Sequence, residues 1–348
     1  MKNHSFKMLA IILIILMSIS LLYGCADQTA LDGQEQLVET NSLSLNDIVV
    51  TQYNPELDNP KDTLFGVSAT SMSSRMAGRI GDNLVVQGIE EAIVVSFWQT
   101  GKDRNVSLAI YYDYVAVPFR VGTQGEFCDS YNFEIENNTA LQIPVYLDSK
   151  IEVDTMVHRI IFVFTPGYDE YAKDKDSISF NASIPQMYQL HYENYEEDVE
   201  YIDVSNQYID DCQHFSYASV PLMLNTDISN LNDADFSGLT LSDKYYVVSD
   251  TSSFDMNCII TNTTQSAKTA LVFVTVGHSP AKINGQDYLL IDLGESSMTV
   301  CNISIDLPSQ SGAYDVIGYV VYEPFTSESN DDTAFPQTSN RFTIEINE

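Results

Sequence analysis

The chain has 348 residues, 49 of them acidic and 16 basic, for a formal net charge of −33. Such a surface repels phosphate backbones and anionic headgroups, which excludes nucleic acid as a ligand. Hydrophobic residues make up 44% and aromatics 11%, enough to fill packed cores, so disorder is excluded as well and the length suggests two domains.

Lys2 and Lys7 flank a short charged start, after which Met8 to Leu22 is apolar apart from Ser18 and Ser20. That run is short for a membrane span, which needs ~20 residues, and has the proportions of an export signal. It ends on Leu22-Tyr23-Gly24-Cys25, which resembles the lipobox of bacterial lipoproteins, although Tyr23 departs from the small or β-branched residue usual there. The resemblance implies that residues 1–24 are a signal peptide cut before Cys25, whose sulfur takes a diacylglyceryl group. The expected address is the cell membrane, lipid-anchored on its extracytoplasmic face. Two acyl chains anchor stably where one does not. Loss of Lys2 and Lys7 takes the mature chain from −33 to about −35.

Residues 25–60 are polar and acidic without sustained periodicity, and read as a flexible tether. A first β domain is expected over 61–190. Its candidate strands are Asn83–Gln87, Ala92–Gln99, Val106–Val117, Tyr131–Glu136, Ala140–Leu147, Arg159–Phe164 and Ser177–Ser183. In "TALQIPVYLD", Leu141, Ile143, Val145 and Leu147 alternate onto one face, the mark of a half-buried strand. Pro144 lacks a backbone donor, so its position should face a sheet edge or turn outward. Residues 191–235 are expected to be a linker. Its stretch His191–Asp211 holds eight acids and four tyrosines with no Lys or Arg. A second β domain is expected over 236–348, with Phe254, Met256, Cys258 and Ile260 alternating inward, as do Cys301, Ile303, Ile305 and Leu307.

The two halves share spacings. Tyr131 to Leu141 matches Tyr288 to Met298, Leu141 to Ile160 matches Met298 to Ile317, and Leu108 corresponds to about Leu271. The segment "SGAYDVIGYVVY" resembles the penultimate strand of immunoglobulin-like and fibronectin type III domains. The resemblance implies two tandem sandwiches of that kind and makes Tyr314 a candidate tyrosine-corner residue. Val157-His158 stands at the matching place in the first half, which lacks that tyrosine. The expected fold class is all-β.

In that frame Cys258 and Cys301 lie on core faces of neighbouring strands. A cross-strand disulfide is open to them, and two buried thiols are favoured. Cys128 and Cys212 are a second candidate pair, across the domain junction. The best metal candidate is "DADFSG", where Asp233, Asp235 and Ser237 before Gly238 match the opening of a calcium loop. Lys244 falls where the closing glutamate belongs, so an acidic turn without metal is favoured and no cofactor is expected.

No nucleophile–base pair, metal cluster or phosphate-cradling glycine loop is legible. The sequence therefore points to a non-catalytic binding or structural module, tethered to membrane lipid through Cys25 and presenting two domains to a protein or glycan partner. Loop aromatics such as Tyr168, Tyr171 and Phe325 are candidate contacts. The alternatives are an extracytoplasmic hydrolase or accessory subunit using unidentified carboxylates, and a carbohydrate-binding accessory protein. The lone Trp98, on a strand read as core, argues against the last.

Overall fold

The structure, a computed structural model, describes residues 46–52, 64–76, 83–151, 154, 156–173, 183–192, 209, 212–216, 222–225, 245–249, 252–263, 268–324 and 336–347. Among the described residues, the regular elements are strands apart from one short helix, α1 (Met72–Met76). The expectation of an all-β chain holds.

The first sandwich pairs two sheets. One has the order β1 (Val49–Gln52), β9 (Thr139–Leu147), β4 (Ile93–Gln99) and β2 (Phe65–Ser71), with β7 (Phe119–Val121) also on β9. The other runs β3 (Asn83–Val86), β11 (Ile184–Tyr192), β10 (His158–Pro166), β5 (Arg104–Tyr112) and β6 (Val115–Ala116), with β8 (Ser130–Ile135) also on β5. The second sandwich repeats the plan. Its third sheet has the order β14 (Tyr245–Ser249), β22 (Phe342–Asn347), β20 (Gly312–Tyr322), β16 (Lys268–Val276) and β17 (Ser279–Ala281), with β18 (Leu289–Leu293) and β21 (Gln337–Thr338) attached. The fourth sheet is β12 (Cys212–Ser216), β19 (Ser297–Asp306), β15 (Ser253–Asn262) and β13 (Leu222–Asn225). The repeat extends to detail: β3 pairs parallel with β11, and β14 pairs parallel with β22.

Three cores separate the four sheets. Phe97, Ile143 and Phe162 belong to the first sandwich's core, and Cys258, Val272 and Ile303 to the second's. A third core lies between the sandwiches, where Tyr111, Ile161 and Val163 of the second sheet meet Phe273, Ile317 and Tyr319 of the third. The middle strands are consequently buried on both faces. All nine residues of β10 are buried, which explains its near-continuous apolar run "IIFVF" where a half-buried strand would alternate.

Several expectations are corrected. Of the strand expected over Ser177–Ser183, residues 177–182 lie outside the described residues, and the described strand there is β11, from Ile184. β11 extends to His191 and Tyr192, which pair with Val85 and Val86 of β3, so the sheet runs past the expected boundary at 190. β12 and β13, within the segment read as linker, are strands of the second sandwich, because β19 and β15 otherwise offer open edges. β1 likewise pairs with β9 from within the expected tether. Val106–Val117 is not one strand but a hairpin, turned at Asp113-Tyr114.

The repeat is real but its expected register slips by one residue. Leu108 and Val272 occupy equivalent core positions, as do Ile160 and Val316, whereas Ile317 faces the third core. Because side chains alternate, a slip of one moves a residue to the opposite face.

Pro144 sits between Gln142, the last β9 residue paired with β1, and Val145, the first paired with β7. Its carbonyl accepts from Gly122 N at 2.9 Å on that side, so the missing amide interrupts no bond to β4. Trp98 is not in the core. It alternates with the buried Phe97 and lies on the outer face over Gly66, where a Cβ would stand 2.0 Å from the indole. Glycine is required there by that close approach.

Candidate functional site

Among the described residues, charged and polar side chains come together at the corner of each sandwich and at the junction between them. At the second sandwich's corner, the Tyr314 hydroxyl donates to Gln310 O at 3.0 Å, four residues upstream. This is the tyrosine-corner bond that the sequence resemblance implies. The equivalent position in the first sandwich is His158. Its Nε2 lies 2.9 Å from Asp154 Oδ1, again four residues upstream, and its Nδ1 lies 2.7 Å from Asp113 Oδ2. The histidine takes the tyrosine's structural role and adds a second anchor.

His158 is buried, stacked on Tyr112 at 4.7 Å and edge-on to Tyr192. Burial disfavours its charged form, but the hydrogen bonds and charges of Asp113 and Asp154 together outweigh burial and raise its pKa. With carboxylate acceptors at both nitrogens, the imidazolium donates twice. Both ring nitrogens are thereby engaged in holding the corner. The Tyr112 and Tyr192 hydroxyls beside it are 3.3 Å apart.

Asp113 also begins the two-residue hairpin turn, with φ 47° at Asp113 and 68° at Tyr114. The equivalent turn in the second sandwich is Gly277-His278, both at φ 58°. Positive φ at two central residues suits the twist of a hairpin, but bulky side chains rarely adopt it. Tyr114 and His278 are each held by the opposite sandwich. The Tyr114 hydroxyl donates to Pro324 O at 2.7 Å, and the His278 ring packs at 4.5 Å on Tyr168. Pro324 and Tyr168 are equivalent positions, each one residue past a positive-φ residue that ends the penultimate strand. The two contacts exchange under a pseudo-two-fold operation, so the sandwiches meet as the halves of a symmetric dimer would. The packed faces have diverged: Ala109 faces the third core where the repeat has Phe273, and Val163 where it has Tyr319.

Arg341 closes the junction on one side only. It is buried and ion-paired with buried Asp315, its Nε donating to Asp315 Oδ2 at 2.7 Å and its Nη2 to the same oxygen. The guanidinium also donates across the junction to Pro166 O (3.2 Å), Gly167 O (2.7 Å) and Glu170 O (3.1 Å). Thr343 completes the group, donating to Asp315 Oδ1 and accepting from Ala172 N at 2.9 Å. Burial pushes the Asp315 carboxyl up to about 6, opposed by Arg341 and Thr343. Burial, with Arg341 adding repulsion, depresses His278 to about 4. The equivalents of Asp315 and Arg341 in the first sandwich are Arg159 and Met187, so this latch has no symmetric copy.

The other residues singled out in the sequence separate into three groups. Cys25, Asp233, Asp235, Ser237 and Phe325 lie outside the described residues. Tyr168 and Tyr171 are drawn into the junction, where burial and nearby carboxylates raise both hydroxyls. The cysteines pair differently from either expectation. The bond joins Cys212 to Cys301, leaving Cys258 as a buried thiol and Cys128 half-buried in the other sandwich. Cys301 has a cysteine directly opposite on each side, Cys212 on β12 and Cys258 on β15. Asn284 N donates to Ser304 O and Asp306 N to Lys282 O, so even-numbered residues of β19 direct their backbone groups away from β15. Cys301 therefore points its own backbone groups toward β15 and forms a non-hydrogen-bonded pair with Cys212. That is the closer kind of pair, in accord with the Cα–Cα distance of 4.5 Å.

Among the described residues, no group of three or more His, Cys, Asp or Glu is arranged to hold a metal ion, and no helix is long and apolar enough to cross a membrane. No protein-family model matches the chain, and no curated protein does. Solved structures give weak likenesses. The Escherichia coli chaperone DraB is 12% identical, with 81% of this chain and 97% of that one covered, at a TM-score of 0.23. A complex of the Salmonella enterica SafA pilin with the SafB chaperone gives 13%, 81%, 97% and 0.24 in the same order. An E. coli alpha-2-macroglobulin is 10% identical over 83% of this chain and 17% of its own, at 0.24. At these scores the likenesses say nothing about what the chain does. Its class rests on its own strands: two fused β-sandwiches.

Proposed function

We propose that the protein is a lipid-anchored lipoprotein on the extracytoplasmic face of the cell membrane. Its body is a non-catalytic binding or structural module offered to a protein or glycan partner. The observation that supports this reading is the third core with its latches, which makes the two sandwiches one rigid block. The groups that most resemble catalytic machinery are engaged structurally: His158 holds the first sandwich's corner through two aspartates, and Arg341 and Asp315 hold each other at the junction. A rigid block on a lipid tether suits presentation of loops and outer sheets, where binding on such scaffolds is carried.

The test combines metabolic labelling with a lipid precursor and crosslinking in intact cells. Wild type should incorporate the lipid and yield a discrete crosslinked partner, while Cys25→Ala should lose both the label and the membrane-associated adduct. Unchanged labelling of Cys25→Ala would overturn the anchor. Substrate turnover by the purified body would overturn the non-catalytic reading.

A further inference from the structure

Three cysteines form a single row across the fourth sheet. Cys212 on the edge strand β12, Cys301 on the central β19 and Cys258 on β15 occupy one line of directly opposed positions. Cys258 and Cys301 are fully buried in the second sandwich's core, and Cys212 packs against that core half-buried. Directly opposed residues project to the same face of a sheet, so the resident thiol and the disulfide share one apolar environment. The attacking and leaving positions also flank Cys301 from opposite sides. Displacement at a disulfide sulfur requires that arrangement, since the incoming thiolate approaches along the axis of the bond being broken.

We propose that this row is a thiol–disulfide exchange site, in which Cys258 displaces Cys212 from Cys301 and so delivers a free thiol to Cys212 at the sheet edge. In the step, the Cys258 thiolate attacks Cys301 Sγ. A Cys258–Cys301 bond forms, the Cys212–Cys301 bond breaks, and its electron pair leaves on Cys212 Sγ. The proton lost by Cys258 is regained by Cys212, so no outside oxidant or reductant is consumed. The freed Cys212 thiolate is then open to a low-molecular-mass disulfide, which it attacks to form a mixed disulfide while releasing one equivalent of thiol. The new bond lies wholly inside the core, whereas Cys212 becomes the modification site.

The burial of Cys258 sets the rate. Its thiol is pushed up to about 12 by burial, and Tyr322 is the titratable side chain facing it across the core. At neutral pH the thiolate fraction is about one in 10⁵, so the resting disulfide persists. The exchange should speed up about tenfold for each pH unit until the thiol titrates.

The test uses the whole mature protein in a Cys128→Ser background, which removes the unrelated half-buried thiol. After incubation with oxidised glutathione at pH 7, 8 and 9, acid-quenched samples are mapped by non-reducing peptide mass spectrometry. The expected products are glutathione on Cys212 and a Cys258–Cys301 linked peptide, appearing about tenfold faster per pH unit. Adding Cys258→Ser should abolish the adduct and preserve Cys212–Cys301. Adding Cys212→Ser should give a Cys258–Cys301 disulfide on purification in air. The proposal is overturned if glutathione appears on Cys258 with Cys212–Cys301 intact. It is equally overturned if no adduct forms at pH 9, or if Cys258 and Cys301 both remain free in a folded Cys212→Ser variant.

Discussion

Replacing Arg341 with methionine, the residue found at the equivalent position 187, tests whether the junction makes the two sandwiches one cooperative unit. The substitution removes the guanidinium's bonds to Asp315 and its three donations to Pro166, Gly167 and Glu170. It strands a carboxylate whose side chain is 4% exposed. Breaking one side of a buried ion pair costs about 3–5 kcal/mol, chiefly because the remaining charge is uncompensated. Adding Asp315→Asn removes that charge and leaves neutral groups short of partners, at about 1–3 kcal/mol below wild type. Urea unfolding followed by far-UV circular dichroism and by Trp98 fluorescence measures both. The lone tryptophan is in the first sandwich while the lesion is in the second, so its transition reports coupling. In wild type the two transitions should coincide, and in Arg341→Met the Trp98 midpoint should fall with the dichroism. A loss below about 1 kcal/mol, or a double variant no more stable than the single one, would refute the reasoning.

Two further substitutions probe the corner and the outer sheet. His158→Gln should cost about 1–3 kcal/mol at pH 6 by removing charged hydrogen bonds to Asp113 and Asp154. The folded pKa of His158 lies above its unfolded value of ~6.5, so the stabilisation is complete below that value. The gap between wild type and variant should close as pH rises through the folded pKa, and a gap constant from pH 6 to 9 would remove the charge from the account. Gly66→Ala should drive the Trp98 indole off β2, since the new methyl would stand 2.0 Å from it. The cost should be about 1–3 kcal/mol with a red-shifted emission, and an unshifted spectrum would place the indole elsewhere.

The alternation of small runs in the sequence is a local signal, and it yields the central strands of each sandwich, while β1, β12 and β13 lie in the segments read as tether and linker. Tyr314 illustrates the same reach, since a corner tyrosine depends on its own neighbours four residues away. His158 escaped because the corner's geometry tolerates a different side chain once aspartates supply the acceptors. The third core was within reach of the sequence, because the unbroken runs "IIFVF" in β10 and "ALVFVTV" in β16 carry apolar residues on both faces. Cysteine pairing depends on which hydrogen-bonding parity Cys301 holds, and parity is a property of the assembled ladder. The single-residue slip in the repeat has the same origin.

The shared third core also has a history in time. The first sandwich is complete at Tyr192, yet its face bearing Tyr111, Tyr114, Ile161 and Val163 finds its cover only once β16 and β20 exist. A chain emerging from its N-terminus must therefore carry a finished sandwich with one apolar flank bare while the acidic stretch that follows is delivered. High like charge on that stretch and on the body keeps nascent copies apart during the interval. The second sandwich then arrives as an intramolecular cover whose local concentration no stranger can match.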